Sequence, residues 1–182
     1  MRVIAGTARS LPLKTIEGLD TRPTTDRIKE TLFNVMMGYI PESKFLDLFA
    51  GSGGIGIEAL SRGATYCTFV ELNPKAVSCI EDNVRFTKFT DRSNIIKADA
   101  VSYVRGLKDI DYDVIFMDPP YEKGYEKQVL NILKDKVFKE DTLIVIEAVL
   151  NEDFSYAEDM GFDIIKEKRY KTNKHIFLEK RD

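Results

Sequence analysis

The 182-residue sequence predicts a doubly wound α/β fold: a mostly parallel seven-stranded sheet, helices on both faces, and an antiparallel strand near the C-terminus. Three observations carry this. Short apolar runs alternate with helical stretches of about ten residues, the pattern of strands joined by crossover helices. A glycine-rich turn separates the first such strand from its helix. Polar residues that no core requires (Asp47, Glu71, Asp99 and Asp118) each end or follow a strand, where such sheets bind their ligands.

Residues 1–20 read as short extended pieces with turns at Gly6 and Gly18. A helix is predicted over 25–38 from the spacing of Ile28, Leu32, Phe33, Val35 and Met36, ended by Gly38 and Pro41. Phe45–Phe49 is the first strand, Gly51–Gly56 the glycine-rich turn, and Ile57–Arg62 a helix stopped by Gly63. Tyr66–Glu71 is the second strand, and Pro74 suits the first turn of a helix reaching about Phe86. Strands follow at 94–97, 113–117 and 142–147, with helices near 100–105, 125–134 and 154–160. Segments 162–171 and 175–179 close the chain as an antiparallel pair. The whole reads as one domain, 1–182, with an N-terminal hairpin and helix over 1–42 and a catalytic core over 43–182.

Composition narrows the class. Hydrophobic residues make up 43% and charged residues 31%, the balance of a globular domain able to bury its own core. Cys67 and Cys79 form no close pair and suggest a reducing compartment. No run approaches the ~20 apolar residues of a membrane span, and no signal peptide is visible, so the expectation is cytoplasmic. The net charge of −3 runs against a broad nucleic-acid footprint, yet Arg2, Arg9, Lys14, Arg22, Arg27 and Lys29 face only four acids in the first thirty residues. Such a face either is merely solvated or binds RNA locally.

Gly51-Ser52-Gly53-Gly54-Ile55-Gly56 fits G-x-G-x-x-G, in which glycine lets the backbone turn sharply and approach a ligand. A tight turn with no ligand has the same pattern. Glu71, twenty residues after Gly51, is placed to accept hydrogen bonds from both hydroxyls of a ribose. Asp47 discriminates between cofactors: a carboxylate there repels a pyrophosphate but suits a cationic amino acid tail. The loop holds no Lys or Arg. Asp99 reads as a partner for an adenine amino group, as a helix N-cap, or as both. These features favour S-adenosylmethionine over a nicotinamide cofactor.

Asp118-Pro119-Pro120-Tyr121 decides the chemistry. Two prolines fix the backbone and remove two donors. That leaves a rigid turn with an acceptor carboxylate, an outward carbonyl and an aromatic ring. An exocyclic amine on a base is a poor nucleophile because its lone pair is delocalised. Hydrogen bonds from its two N–H groups to Asp118 and the Pro119 carbonyl draw it towards tetrahedral geometry, and Tyr121 can stack on the base. His175, the sole histidine, reads as structural or surface, and without a second one no metal site is indicated. Val129, Leu130, Ile132 and Leu133 read as a packing face.

These motifs resemble the Rossmann-like class I methyltransferases that act on amino groups of nucleic-acid bases. Arg2–Gly6, Thr21–Asn34 and Leu46–Ala64 are similar to the bacterial 16S (small-subunit) ribosomal RNA guanine-N2-methyltransferases. The resemblance implies transfer of a methyl group from S-adenosylmethionine to N2 of a guanine, by a monomer acting on 16S rRNA in a partly assembled 30S subunit, without metal or membrane. It places Asp47, Ala50, Gly51, Ser52 and Gly53 at the methionine end of the cofactor. Glu71 falls at the ribose with Leu72 and Asn73 beside the adenosine, and Ala98, Asp99 and Ala100 flank adenine. Asp118, Pro119 and Tyr121 handle the guanine, while Arg9, Arg22 and Arg27 are candidates for meeting RNA, with Thr24 beside Arg22. The rival readings are a DNA adenine-N6 methyltransferase, for which the chain has little room for a recognition region, and a non-catalytic RNA-binding ribosome assembly factor.

Overall fold

A computed structural model describes residues 1–16, 25–139 and 141–181. The Gly18 turn, Arg22 and Thr24 lie outside the described residues. The first helix, α1 (Asp26–Val35), opens with the Thr25 hydroxyl accepting the Ile28 N–H at 3.4 Å, and closes three residues short of Gly38. Then follow β1 (Lys44–Leu48), α2 (Gly54–Ser61), β2 (Tyr66–Glu71), α3 (Pro74–Phe86), β3 (Ser93–Lys97), α4 (Ala100–Gly106) and β4 (Val114–Met117). The chain ends with α5 (Tyr125–Leu133), β5 (Leu143–Val149), α6 (Ser155–Asp159), β6 (Phe162–Arg169) and β7 (Asn173–Lys180). A 3-10 turn at Thr90–Arg92 and a separate parallel pair of two-residue strands, Asp109–Ile110 with Val137–Phe138, are additions too short for the sequence pattern to announce.

The seven strands lie in the order β3-β2-β1-β4-β5-β7-β6. All are parallel except β7, which runs against both its neighbours. Because β1 starts the sheet in the middle and the chain first winds one way and then the other, a crevice opens at the carboxyl ends of β1 and β4. β4 and β5 are covered on both faces, which explains their unbroken apolar runs. On one face Phe33, Ile57, Leu60, Ile80 and Val84 pack against Phe45, Phe69, Phe116, Val145 and Phe177. On the other, Val104, Val129, Leu130, Leu133 and Ala157 pack against Leu48, Ile115, Met117, Ile144 and Ile176.

At the N-terminus Arg2 is bridged antiparallel to Pro12, and a backbone bond runs from the Val3 N–H to the Leu11 carbonyl, which folds this segment as a hairpin. A buried acid fastens it to the core. Glu58 on α2 accepts the N–H groups of Ile4 and Ala5 at 2.8 and 3.0 Å, lies 3.3 Å from Lys29 Nζ, and is held by Arg62 at 2.7 Å. Lys29 and Glu58 are fully buried, so removing one partner strands a charge, at a cost of ~3–5 kcal/mol. Hairpin, α1 and the helix of the glycine turn are therefore joined through Glu58.

Candidate active site

Side-chain alternation puts Asp47, Asp118 and Glu147 on one face of the sheet, in line with Phe45, Phe116 and Val145. The last registered pair of β4 and β5 is Met117 with Ile146, so Asp118 and Glu147 follow side by side. Glu147 is paired with His175, and His175 with Lys168. A row of two acids, a histidine and a lysine thus crosses the carboxyl edge of the sheet.

The glycine turn begins under strain. Phe49 has φ 61°, a conformation that costs a non-glycine residue ~1–3 kcal/mol, and its ring meets Tyr125 at 5.5 Å. Gly51 and Gly53 also have positive φ, and Gly53 sets α2 to begin at Gly54 rather than at the expected Ile57. A Cβ on Gly51 would meet only open space, so that backbone lies bare to a ligand. A Cβ on Gly56 would come within 2.3 Å of the Phe69 ring, which is why α2 can lie close on β2. Asp47, 2% exposed, accepts the Gly56 N–H at 2.9 Å from beneath the turn. Burial pushes its pKa up to about 8 against the help of that bond, with a further rise from Glu71.

Glu71 closes β2 and accepts two backbone N–H groups, from Gly51 and Asn73, each at 2.8 Å. It ties the glycine turn to the start of α3, where Asn73 caps by accepting the Lys75 N–H. Leu72 is well exposed beside it. Across the crevice Ala98 and Asp99 are half-buried and Ala100 buried, and Asp99 caps α4 by accepting the Ser102 N–H at 2.8 Å. Ala50, Gly51, Ser52, Gly53, Glu71, Leu72, Ala98 and Asp99 thus surround the carboxyl ends of β1, β2 and β3. Two carboxylates, a bare glycine backbone and an open helix N-terminus make a donor and acceptor set that fits a nucleoside carrying an amino acid tail.

The Asp-Pro-Pro-Tyr turn stands next to them. Pro119 is buried, while Asp118, Pro120 and Tyr121 are exposed to the crevice. Among the described residues no group donates a hydrogen bond to the Asp118 carboxylate. Although its side chain opens on the crevice, the crowding of protein around it, with repulsion from Glu147 and Asp47, raises its pKa above the ordinary carboxylate range. Desolvation and the Glu147 and Asp118 carboxylates likewise raise the Tyr121 hydroxyl.

Two features escaped the sequence reading. Glu147, at 6% exposure, is gripped at both oxygens: Asn173 Nδ2 donates to Oε1 at 2.6 Å, and His175 Nε2 lies 3.0 Å from Oε2. His175 is completely buried, and its Nδ1 meets the Tyr170 hydroxyl at 3.1 Å. Of the two roles read for it, the structural one holds. The second feature is the β6–β7 turn, which the antiparallel register delivers to the crevice edge with exposed Arg169 and Lys171 and half-exposed Lys168. Arg9 and Arg27 are exposed on the hairpin and on α1. A hollow of about 610 Å³ lined by Tyr39, Ser43, Asp113 and Lys139 lies at the opposite, amino end of the sheet, away from all these groups. Among the described residues no helix is long and apolar enough to cross a membrane, and no three acidic, Cys or His side chains gather as metal ligands.

Sheet order, glycine turn and the Asp-Pro-Pro-Tyr corner make the chain a Rossmann-like methyltransferase, of the class that in general uses S-adenosylmethionine. A solved Escherichia coli protein, YhhF, provisionally described as a methyltransferase, shares the fold with a TM-score of 0.84 and 30% identity, over 100% of this chain and 98% of that one. More particularly, residues 1–179 match the family described as Conserved hypothetical protein 95, and the chain belongs to it. Its relatives include a Haemophilus influenzae protein named Ribosomal RNA small subunit methyltransferase D. That protein is 36% identical over 173 residues, 92% of this chain and 88% of the relative. The Escherichia coli protein of the same name is 35% identical over 151 residues, 81% of this chain and 74% of the relative.

Proposed function

We propose that the protein methylates the exocyclic N2 of a guanine in 16S ribosomal RNA, with S-adenosylmethionine as donor. The observation that carries the reading is the Asp118–Tyr121 turn. It offers an acceptor carboxylate with no partner among the described residues, a rigid carbonyl and an exposed ring, beside a glycine turn and Glu71 suited to the cofactor. The relatives named as small-subunit rRNA methyltransferases support RNA as the acceptor. The choice of N2 of guanine rests on the resemblance of Arg2–Gly6 and Thr21–Asn34.

When bound, S-adenosylmethionine supplies an electrophilic methyl group. Asp47 and the backbone of the turn from Ala50 through Gly51, Ser52 and Gly53 would line its amino acid end, although the Gly51 and Gly53 N–H groups are already given to Glu71 and to the Ala50 carbonyl. Glu71 takes the ribose hydroxyls, and Leu72, Asn73, Ala98, Asp99 and Ala100 enclose the adenine. Tyr121 stacks on the target base. Asp118 and the Pro119 carbonyl accept the two N–H groups of the amine, which turns its lone pair towards the methyl. As the new N–C bond forms, the bond from the methyl to the sulfonium breaks and leaves a neutral thioether, and Asp118 would take the proton that the amine must lose. Arg9 and Arg27, together with the basic β6–β7 turn, receive RNA phosphates around this acidic centre.

The test is transfer from labelled S-adenosylmethionine to undermethylated small subunits, free 16S rRNA and duplex DNA, with nucleoside analysis of the product. N2-methylguanosine on the subunit or its rRNA is the expected result. N6-methyladenine in DNA would keep the chemistry and overturn the substrate. Tight cofactor binding without transfer to any acceptor would leave a non-catalytic assembly factor.

A further inference from the structure

We propose that Glu147 is a positioning residue for methyl transfer: clamped by Asn173 and His175, it confronts Asp118 with a fixed negative charge that makes Asp118 a stronger acceptor for the amine's proton. The inference rests on the reading of Asp118 given above.

The geometry is specific. Glu147 lies in β5 one register position beyond Ile146, beside Asp118, and its carboxylate is near enough to act on the Tyr121 hydroxyl. A buried carboxylate needs donors, and the two that it has come from one neighbouring strand. Asn173 gives its amide N–H at 2.6 Å although this leaves its own Oδ1 buried with no partner among the described residues. His175 completes the clamp from full burial. With its proton on Nε2 it donates to Glu147 and leaves Nδ1 to accept the Tyr170 O–H, so a neutral ring satisfies both nitrogens. Three side chains are thus arranged to hold one anion still.

A resting surface does not call for that arrangement, because two adjacent carboxylates repel. The groups facing Asp118 are Glu147 from β5, Asp47 from β1 and Tyr121 from its own turn. Those facing Glu147 are His175 and Asn173 from β7, Tyr170 from the β6–β7 turn, Tyr121 and Asp118. No cation stands between the two acids among the described residues. Repulsion raises the proton affinity of Asp118, which is what the proton-accepting step uses. At low enough pH the same repulsion protonates Asp118 and removes the acceptor.

The experiment is the single-turnover methylation rate against pH, on 16S rRNA or undermethylated subunits, for the wild type, Glu147→Gln and His175→Gln. Glu147→Gln keeps the shape and loses the charge. The expected result is a rate lowered roughly tenfold or more, an acid limb moved to lower pH by roughly one unit, and an unchanged S-adenosylmethionine Kd. His175→Gln retains both Glu147 and an amide donor, and should keep the wild-type acid limb even where its melting temperature falls. It keeps the question open to test if Glu147→Gln does not fold. A folded Glu147→Gln with a wild-type rate and limb overturns the inference alone, and so does a His175→Gln limb displaced to lower pH. A wild type that methylates no base overturns the underlying reading together with the inference.

Discussion

Replacing Glu71 by alanine should weaken S-adenosylmethionine binding about a hundredfold, and the figure follows from the hydrogen-bond inventory at the end of β2. An ionised carboxylate offers about four acceptor sites. Two are taken by the N–H groups of Gly51 and Asn73, each at 2.8 Å, which leaves two for the hydroxyls of a ribose. A hydrogen bond to a charged group contributes ~1.5–3 kcal/mol. Glu71 is only half-buried, so the lower figure applies, and two such bonds amount to ~3 kcal/mol, or about two decades in Kd. Alanine also releases both backbone anchors, and that loss has to be separated from the ribose contacts. Calorimetric titration with S-adenosylmethionine and with methionine does this. A loosened turn weakens both ligands, whereas loss of the ribose contacts weakens only the nucleoside. A Glu71→Ala protein with a wild-type melting temperature and a Kd within about twofold of wild type would refute the ribose assignment.

The remaining predictions concern the turn, the rim and the buried acid. Asp118→Ala should lower single-turnover methyl transfer by ~100-fold or more while the cofactor Kd from titration stays within a few-fold; normal turnover would end its catalytic role. Charge reversal at Lys168 and Lys171 should weaken rRNA binding and reduce the slope of log K against log salt by ~1–2, measured by filter binding at several salt concentrations; an unchanged slope would remove the β6–β7 turn from the RNA footprint. Asp47 is raised in the folded protein to about 8, so its contribution to stability is full below the unfolded carboxylate value and is lost as pH rises towards 8. Thermal melts should therefore show the wild type losing stability relative to Asp47→Asn between about pH 4 and pH 8, and parallel curves would contradict the buried-charge argument.

Much of the candidate site was legible in the sequence because the residues proposed for it sit at the ends of apolar strands, within motifs whose spacing has a mechanical cause. Asp47 precedes the glycines, Glu71 follows at the distance of one β-α-β unit, and two prolines announce Asp118. The start of α2 was read three residues late because a helical period cannot reveal that Gly53 adopts a left-handed conformation and begins the turn early. Glu147 closes the run Thr142–Glu147 and belongs to no motif. Its meaning comes from Asn173 and His175, 26 and 28 residues away, brought back by an antiparallel strand whose register the alternation of residues does not specify. The basic character of Lys166–Lys174 is plain in the sequence. That its turn arrives at the crevice depends on β7 running against the rest of the sheet.

The distribution of charge follows the chemistry. Asp47, Asp118 and Glu147 line one face of the sheet at the centre, and the cations stand at the margins, on the hairpin, on α1 and in the β6–β7 turn. Under the proposed function a cofactor with a positive sulfonium and a positive amine suits this carboxyl-lined centre, and a phosphate backbone does not. On that reading the target base would reach Tyr121 with its own phosphates outside, over the basic margin, which means taking the base out of its stack. The net charge of −3 is then a smaller obstacle to an RNA substrate, because among the described residues Asp47, Glu58, Glu126 and Glu147 are buried against only two buried cations, Lys29 and Lys174. The solvent-facing charge is therefore nearer to neutral than the composition suggests, and under the proposed function added salt should weaken RNA binding more than cofactor binding in the same protein.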